Sequence, residues 1–251
     1  MTTAADIVAA LDLPRSAFVE QRVPKKLLLE NGAPTAADRR RITEGIEELF
    51  WVAALKPTTV GIPAFQDAER AYLEIALLRL TLRPAAKAAR LIELIHRAIP
   101  YPIFLIVVQA ERTGISLAHL RWSQAEAGAT VLESAPTLLS LDSGDLPVAE
   151  FLTALTLARQ PRTDLFALYD GYIATVNALE AADQIGVFAP PRSREHAALR
   201  RAALAECAAC EAEIARLRAV AAKEKQVARR VELNLNLQSV QTRLVAARAL
   251  L

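Results

Sequence analysis

The chain is poor in the residues from which most catalytic and metal-binding signatures are built. Its 251 residues hold two cysteines, Cys207 and Cys210, which excludes a disulfide framework and makes a reducing compartment the default. The pair has CxxC spacing, but a structural zinc site needs four ligands, and there is neither a second pair nor a nearby histidine; His196 lies about three helical turns away. A redox CxxC sits at a helix N-terminus, whereas this one falls mid-helix, so it reads as two small residues on one helix face. The three histidines, His96, His119 and His196, accompany no serine or cysteine nucleophile motif and assemble into no triad. Eight glycines are scattered singly, which excludes a glycine-rich phosphate loop. No apolar run approaches 18 residues, so no membrane span is expected. The first residues, MTTAADIVAALDLPRS, are acidic where a signal peptide would be basic. A soluble cytoplasmic protein without cofactor or metal is the expectation.

What is present is apolar surface and an uneven charge. At 53% hydrophobic, the chain can bury a core sufficient for one large or two modest domains. From Arg192 to Leu251 there are 12 Lys/Arg against 6 Asp/Glu, and in the preceding 191 residues 18 against 22. A mildly acidic body therefore carries a basic tail. The double proline at 190 and 191 marks the boundary, giving a body over 1–189 and a helical tail over 192–251. Such a tail is a solvated helix face or a surface for nucleic acid or an acidic partner.

Periodicity predicts the order αββαβββαα, then the tail. Residues 4–11 read as a short helix, and the stretch around Pro24 as extended. Thr35 caps a helix carrying Asp38 in its first turn, and Ile42, Ile46, Leu49, Phe50 and Ala53 extend it to Pro57. TTVGIP and AYLEIALLRLTLR read as strands. PAAKAARLIELIHRA reads as a helix with Pro84 in its first turn. It stops at Pro100, Tyr101 turns the corner, and IFLIVV follows as a central strand that Pro102 can start. GISLAHLRWSQA and GATVLESAPTLLSL are further strands. Two helices follow, the second capped by Gly186. This order suits an α+β fold, a mixed sheet covered by helices, rather than repeated βαβ units.

In the tail, Leu199, Ala203, Leu204, Ile214, Leu217, Val227, Val231, Leu235, Val240 and Leu244 fit segments of 3–4 spacing, as in a coiled-coil-like helix packed on a partner. LNLNLQ alternates like a strand, but its flanks keep it helical, apolar on several faces and gripped from more than one side. Asn234 and Asn236 are candidate buried register-setters. Lys223, Lys225, Arg229 and Arg230 are the candidate DNA- or partner-binding residues; on a straight helix Lys223 and Arg230 share a face. The absence of any aromatic residue in the tail excludes a stacking platform for single strands and leaves phosphate contact.

Four blocks in order resemble the bacterial domain-of-unknown-function family 4391: VEQRVPKKLLLENG, FWVAALKPTTVGI, AIPYPIFLIV and AKEKQVARRVELNLNLQ, over roughly residues 18 to 245. The chain departs at Ile95-His96-Arg97, where the family pattern is Ile-Asp-Lys. The resemblance implies no reaction. It implies a genomic setting beside type III restriction–modification methylases and helicases, hence phage defence or DNA processing.

That setting makes a restriction-nuclease-like core worth weighing. Such a site needs two carboxylates for a divalent cation and a lysine for the attacking water. Asp67 and Glu74 have workable spacing, but the Glu-x-Lys signature is Glu74-Ile75-Ala76 here, and Arg79 or Lys87 would have to substitute. The favoured expectation is a non-enzymatic accessory or interaction subunit whose tail binds a helicase or methyltransferase, a second copy, or DNA backbone. The alternative is a metal-dependent nuclease-like protein using Asp67 and Glu74.

Overall fold

The computed structural model describes residues 2–125, 128–142 and 146–251. In chain order its elements are α1 (Ala4–Ala10), β1 (Phe18–Arg22), α2 (Lys25–Asn31), α3 (Ala36–Gly45), β2 (Ile46–Leu55), α4 (Pro57–Val60), β3 (Phe65–Gln66), β4 (Ala71–Tyr72), β5 (Ile75–Leu82), α5 (Ala88–Ala98), β6 (Ile103–Gln109), β7 (Arg112–Ser116), β8 (Leu120–Trp122), β9 (Thr130–Leu132), β10 (Leu139–Ser140), α6 (Val148–Ala154), α7 (Leu165–Ile185), α8 (Arg194–Lys223) and α9 (Val227–Arg248). The fold is α+β. Among the described residues the main sheet has six strands in the order β1-β2-β5-β6-β7-β10, and β3-β4 and β8-β9 are two-stranded ribbons. All neighbours in the main sheet are antiparallel except β5 and β6, which α5 joins as a parallel crossover. The chain divides into two compact units, Met1–Val176 and Asn177–Leu251.

In the first unit the strands alternate. Ala76, Leu78, Leu80 and Leu82 of β5 join Ile103, Leu105 and Val107 of β6 in one buried cluster with Leu28 of α2, Ile42 of α3, and Leu91, Leu94 and Ile95 of α5. Leu77 and Phe104 are also buried, and the Phe104 ring meets Tyr172 of α7 edge to face at 5.4 Å. The sheet is thus covered on both faces, which explains why β5 and β6 read as near-continuous apolar runs. Tyr101 turns the corner as expected. The helix closes with Ile99 N–H on the Ile95 carbonyl, the Pro102 carbonyl accepts from Ala76 N–H, and Ile103 opens the strand.

Four elements differ from the sequence reading. The stretch around Pro24 is extended only through β1, and Pro24 is the N-cap residue of helix α2, Lys25–Asn31. The helix capped by Thr35 stops at Gly45, and residues 46–55 are a strand. Register shifts at Ile46/Glu48 and Trp51/Ala53 move the buried phase, so Ile46, Leu49 and Ala53 bury at helix-like spacing within a strand. TTVGIP is not a strand: Pro57 starts one turn of helix, and Gly61 closes it at φ 68°. Pro84 precedes its helix instead of starting it; Gln109 Nε2 holds that turn by donating to the carbonyls of Arg83, Pro84 and Ala86. Gly186 does cap α7, at φ 76°, its N–H on the Ala182 carbonyl.

The second unit holds the end of α7 and a helical hairpin of α8 and α9. The tail breaks at Glu224, Lys225 and Gln226 with neither glycine nor proline. Cys210, Ile214 and Leu217 on α8 meet Leu233, Leu237, Val240 and Leu244 on α9. One straight helix would leave both apolar rows in water, and folding back buries each against the other. Arg243 Nε donates to Glu206 at 3.1 Å, and Arg248 Nη2 donates to Glu211 at 2.8 Å, along the same seam. Cys207 and Cys210 are buried free thiols, Cys210 at this contact, and burial pushes both above the usual thiol range. LNLNLQ is helical as expected, but Leu235 is 62% exposed, and Asn234 and Asn236 are exposed rather than buried register-setters. Among the described residues no helix is long and apolar enough to cross a membrane.

Candidate functional site

The hairpin break places the four basic candidates at one tip. Lys223 ends α8, Lys225 lies in the turn, and Arg229 and Arg230 fall in the first turn of α9; all four are exposed. Sharing a face of one straight helix is therefore not their arrangement. Glu224 is the acid among them: it pairs with Arg229 at 3.5 Å, and its Oε1 accepts the N–H of Gln226. The first turn of α9 carries no acidic residue, and Gln226 gives it no side-chain cap. Cations at a helix N-terminus meet the positive end of the dipole, an arrangement that costs some tenths of a kcal/mol or more per charge. An anion at the tip would relieve that cost and would find three basic side chains besides the Arg229 pair.

Asp67 and Glu74 have separate jobs in the first unit. Asp67 sits in the β3–β4 turn, its Oδ1 accepting the N–H groups of Glu69 and Arg70 at 2.8 Å each. Glu74 is 8% exposed just before β5. Its Oε2 lies 3.0 Å from Lys56 Nζ, and its Oε1 is buried with no partner among the described residues. Lys56 follows β2, one register step beyond Leu55↔Ile75. The lysine beside Glu74 thus comes from the neighbouring strand, in the Lys-Pro-Thr block, and a search for Glu-x-Lys along one strand passes over it. Arg79 lies over the Phe50 ring at 5.1 Å and pairs with Glu48 at 3.3 Å, while Lys87 is the N-cap residue of α5. Among the described residues no group of three or more His, Cys, Asp or Glu side chains is arranged to hold a metal ion.

Two features of the first unit lay outside the sequence reading. Tyr72 Oη lies 2.7 Å from His119 Nδ1, and His119 Nε2 lies 3.3 Å from Asp170 Oδ1. With the Tyr72 hydroxyl donating to Nδ1, the Nε2–H donates to Asp170. The partners are 47 and 51 residues from the histidine, so no local pattern could have joined them. Tyr72 is fully buried, its hydroxyl pushed far above the usual phenol range by desolvation, which makes this a polar tie within the core. The second feature is a cleft of about 420 Å³ between α1 and the sheet, with Val8, Phe18 and Phe50 among its apolar walls and Arg79 at its side. Asp12 and Glu20, also in its wall, have left-handed backbones at φ 48° and 53°.

No curated protein and no solved structure matches the chain. The family model described as "Domain of unknown function (DUF4391)" matches residues 11–244, which takes in the sheet, helices α2 to α8 and most of α9; the chain belongs to that family.

Proposed function

We propose that the chain is a non-enzymatic accessory subunit whose helical hairpin is an interaction module, working in a bacterial restriction–modification or phage-defence complex. The observation that carries the reading is the hairpin tip. Lys223, Lys225, Arg229 and Arg230 are gathered at a turn where Glu224 pairs with Arg229. Apart from the Arg229–Glu224 pair, cations at the first turn of α9 work against the helix dipole, so their placement suits an anionic partner. Their partner is the DNA backbone or an acidic surface of a helicase or methyltransferase. Asp67 and Glu74 are occupied by a turn and by Lys56, which supports a structural rather than a catalytic role for both.

The test is fluorescence anisotropy with labelled duplexes of unrelated sequence, titrated at several salt concentrations. With three or four phosphates neutralised, the log–log salt slope is expected at about −3 to −4, and equal for every sequence. Replacing Lys223, Lys225, Arg229 and Arg230 together with Gln should flatten that slope and leave the circular dichroism spectrum unchanged. Binding that survives the replacement would move the site to Arg39–Arg41. No binding at about 50 mM salt would leave the acidic protein surface as the partner. DNA cleavage with Mg²⁺ or Mn²⁺ that Asp67→Asn or Glu74→Gln abolishes would replace the proposal with the nuclease reading.

A further inference from the structure

Helix α9 carries two seams, and α8 fills only one of them. Leu233, Leu237, Val240, Leu244 and Ala247, the inner seam, recur at alternating steps of four and three. Two residues earlier the same steps recur through Val231, Leu235, Gln238, Thr242, Val245 and Ala249. A two-residue offset is about 200° of helix rotation, so this second row lies on the side away from α8. It is exposed: Val231 by 53%, Leu235 by 62% and Val245 by 68%, with Gln238, Thr242 and Ala249 also in the exposed class.

The charge pattern sets this row apart from a solvated face. Helix α9 has five charged residues, Arg229, Arg230, Glu232, Arg243 and Arg248. At about 100° per residue, each lies roughly 90° or more from the midline of the outer row. Arg243 and Arg248 are turned to α8 by their pairs with Glu206 and Glu211. A solvent-facing helix side ordinarily carries the charges, and here it is the side without them. A 3–4 repeat kept free of charge is what a second helix packs against.

The order of the row identifies the occupant. Around its midpoint at residue 240, Val231 mirrors Ala249, Leu235 mirrors Val245 and Gln238 mirrors Thr242. Apolar positions mirror apolar ones and hydrogen-bonding positions mirror hydrogen-bonding ones. A two-fold interface needs this self-complementarity, because each residue meets the mirror position of the other copy. A parallel pair would bring the two basic tips side by side. An antiparallel pair holds them about 40 Å apart, far beyond the ~8 Å screening length at physiological salt.

We infer that a second copy of this chain covers the outer row, with the two α9 helices antiparallel about a two-fold axis at the level of residue 240. The hairpins then form a four-helix arrangement with a basic tip at each end. This deepens the interaction reading by naming one occupant of the hairpin, on a face separate from the tip. The helix is about 33 Å long and 10 Å wide, so the seam is smaller than the ~800 Å² per partner of a standard interface. The association is accordingly weak, in the micromolar range at about 10 µM or above.

Sedimentation velocity on the full chain from about 1 to 200 µM should show the mass doubling with concentration. Leu235→Glu alters an exposed position to a good helix former, so it should fold normally and remain a monomer throughout. Oxidative cross-linking then reads the orientation. An equal mixture of Leu235→Cys and Val245→Cys chains should give a mixed disulfide dimer, while neither alone cross-links. Cys207 and Cys210 are buried, and the unsubstituted chain should not cross-link. A monomer at every concentration overturns the inference, as does a dimer unaffected by Leu235→Glu. A Leu235→Cys chain that cross-links to itself would mean parallel packing and would overturn the antiparallel assignment. The tip replacement with Gln should leave dimerisation unchanged, so loss of DNA binding and loss of the dimer are separate results.

Discussion

At the scale of single residues, His96 makes the clearest claim. The structure puts it at 1% exposure on α5, with Nε2 3.0 Å from Ser116 Oγ. Burial lowers its pKa from 6.5 to about 3. Between those values the unfolded chain binds a proton that the folded chain excludes. Its contribution to stability is therefore complete above pH 6.5 and is lost as pH falls toward 3, by about 1.4 kcal/mol per pH unit. Glu180, whose pKa burial raises, works in the opposite sense, so the informative quantity is a difference between variants. Urea unfolding from pH 7 to 4 should show a steeper loss for the natural chain than for His96→Gln, which keeps a hydrogen-bonding group but does not titrate. Parallel pH profiles for the two would mean that His96 takes up its proton without unfolding. From the sequence this histidine reads only as isolated, without a nucleophile motif; that it is sealed between helix and sheet comes from the structure.

At the scale of elements, the close approach of α2 to α5 turns on Gly32. A Cβ there would lie 2.5 Å from Ala98 Cβ and 3.1 Å from the carbonyl oxygens of Leu28 and Leu94. None of these atoms sits at the end of a flexible side chain, so the two helices would have to separate. Gly32→Ala should cost about 1–3 kcal/mol, read as a lower urea midpoint at unchanged slope. An unchanged midpoint would mean that α2 moves freely over the sheet. Element identity was legible where local signals agree: Thr35 and Asp38 for the start of α3, Gly186 for the end of α7, and Pro100 through Pro102 for the corner into β6. It was not legible in β2, where two register shifts imitate a helical repeat, nor at Glu224, where no local residue breaks the helix.

At the scale of the whole molecule, the tail is expected to be separable. A chain ending at Phe188 retains all of α7 and its Gly186 cap, together with the sheet and the helices that cover it. It should melt cooperatively and give a near-ultraviolet dichroism spectrum of fixed aromatic packing. A product without that spectrum would show that the hairpin completes the core of the body. The contact-defined division falls inside α7, at Val176 and Asn177, so truncation there would cut a continuous helix and is the harsher experiment.

Composition and pattern alone determined that this chain forms an α+β body with a mixed sheet, followed by a basic helical tail without aromatics. Those properties follow from local propensity, apolar periodicity and charge count, which need no knowledge of distant neighbours. Only the tertiary structure decided that the tail folds back on itself and gathers Lys223, Lys225, Arg229 and Arg230 at a turn. Only it decided that Glu74 meets Lys56, and that His119 lies between Tyr72 and Asp170. Each of these depends on which surfaces bury one another across tens of residues. Burial is a property of the packed chain, and a linear pattern records which residues have apolar surface to hide but not what hides it.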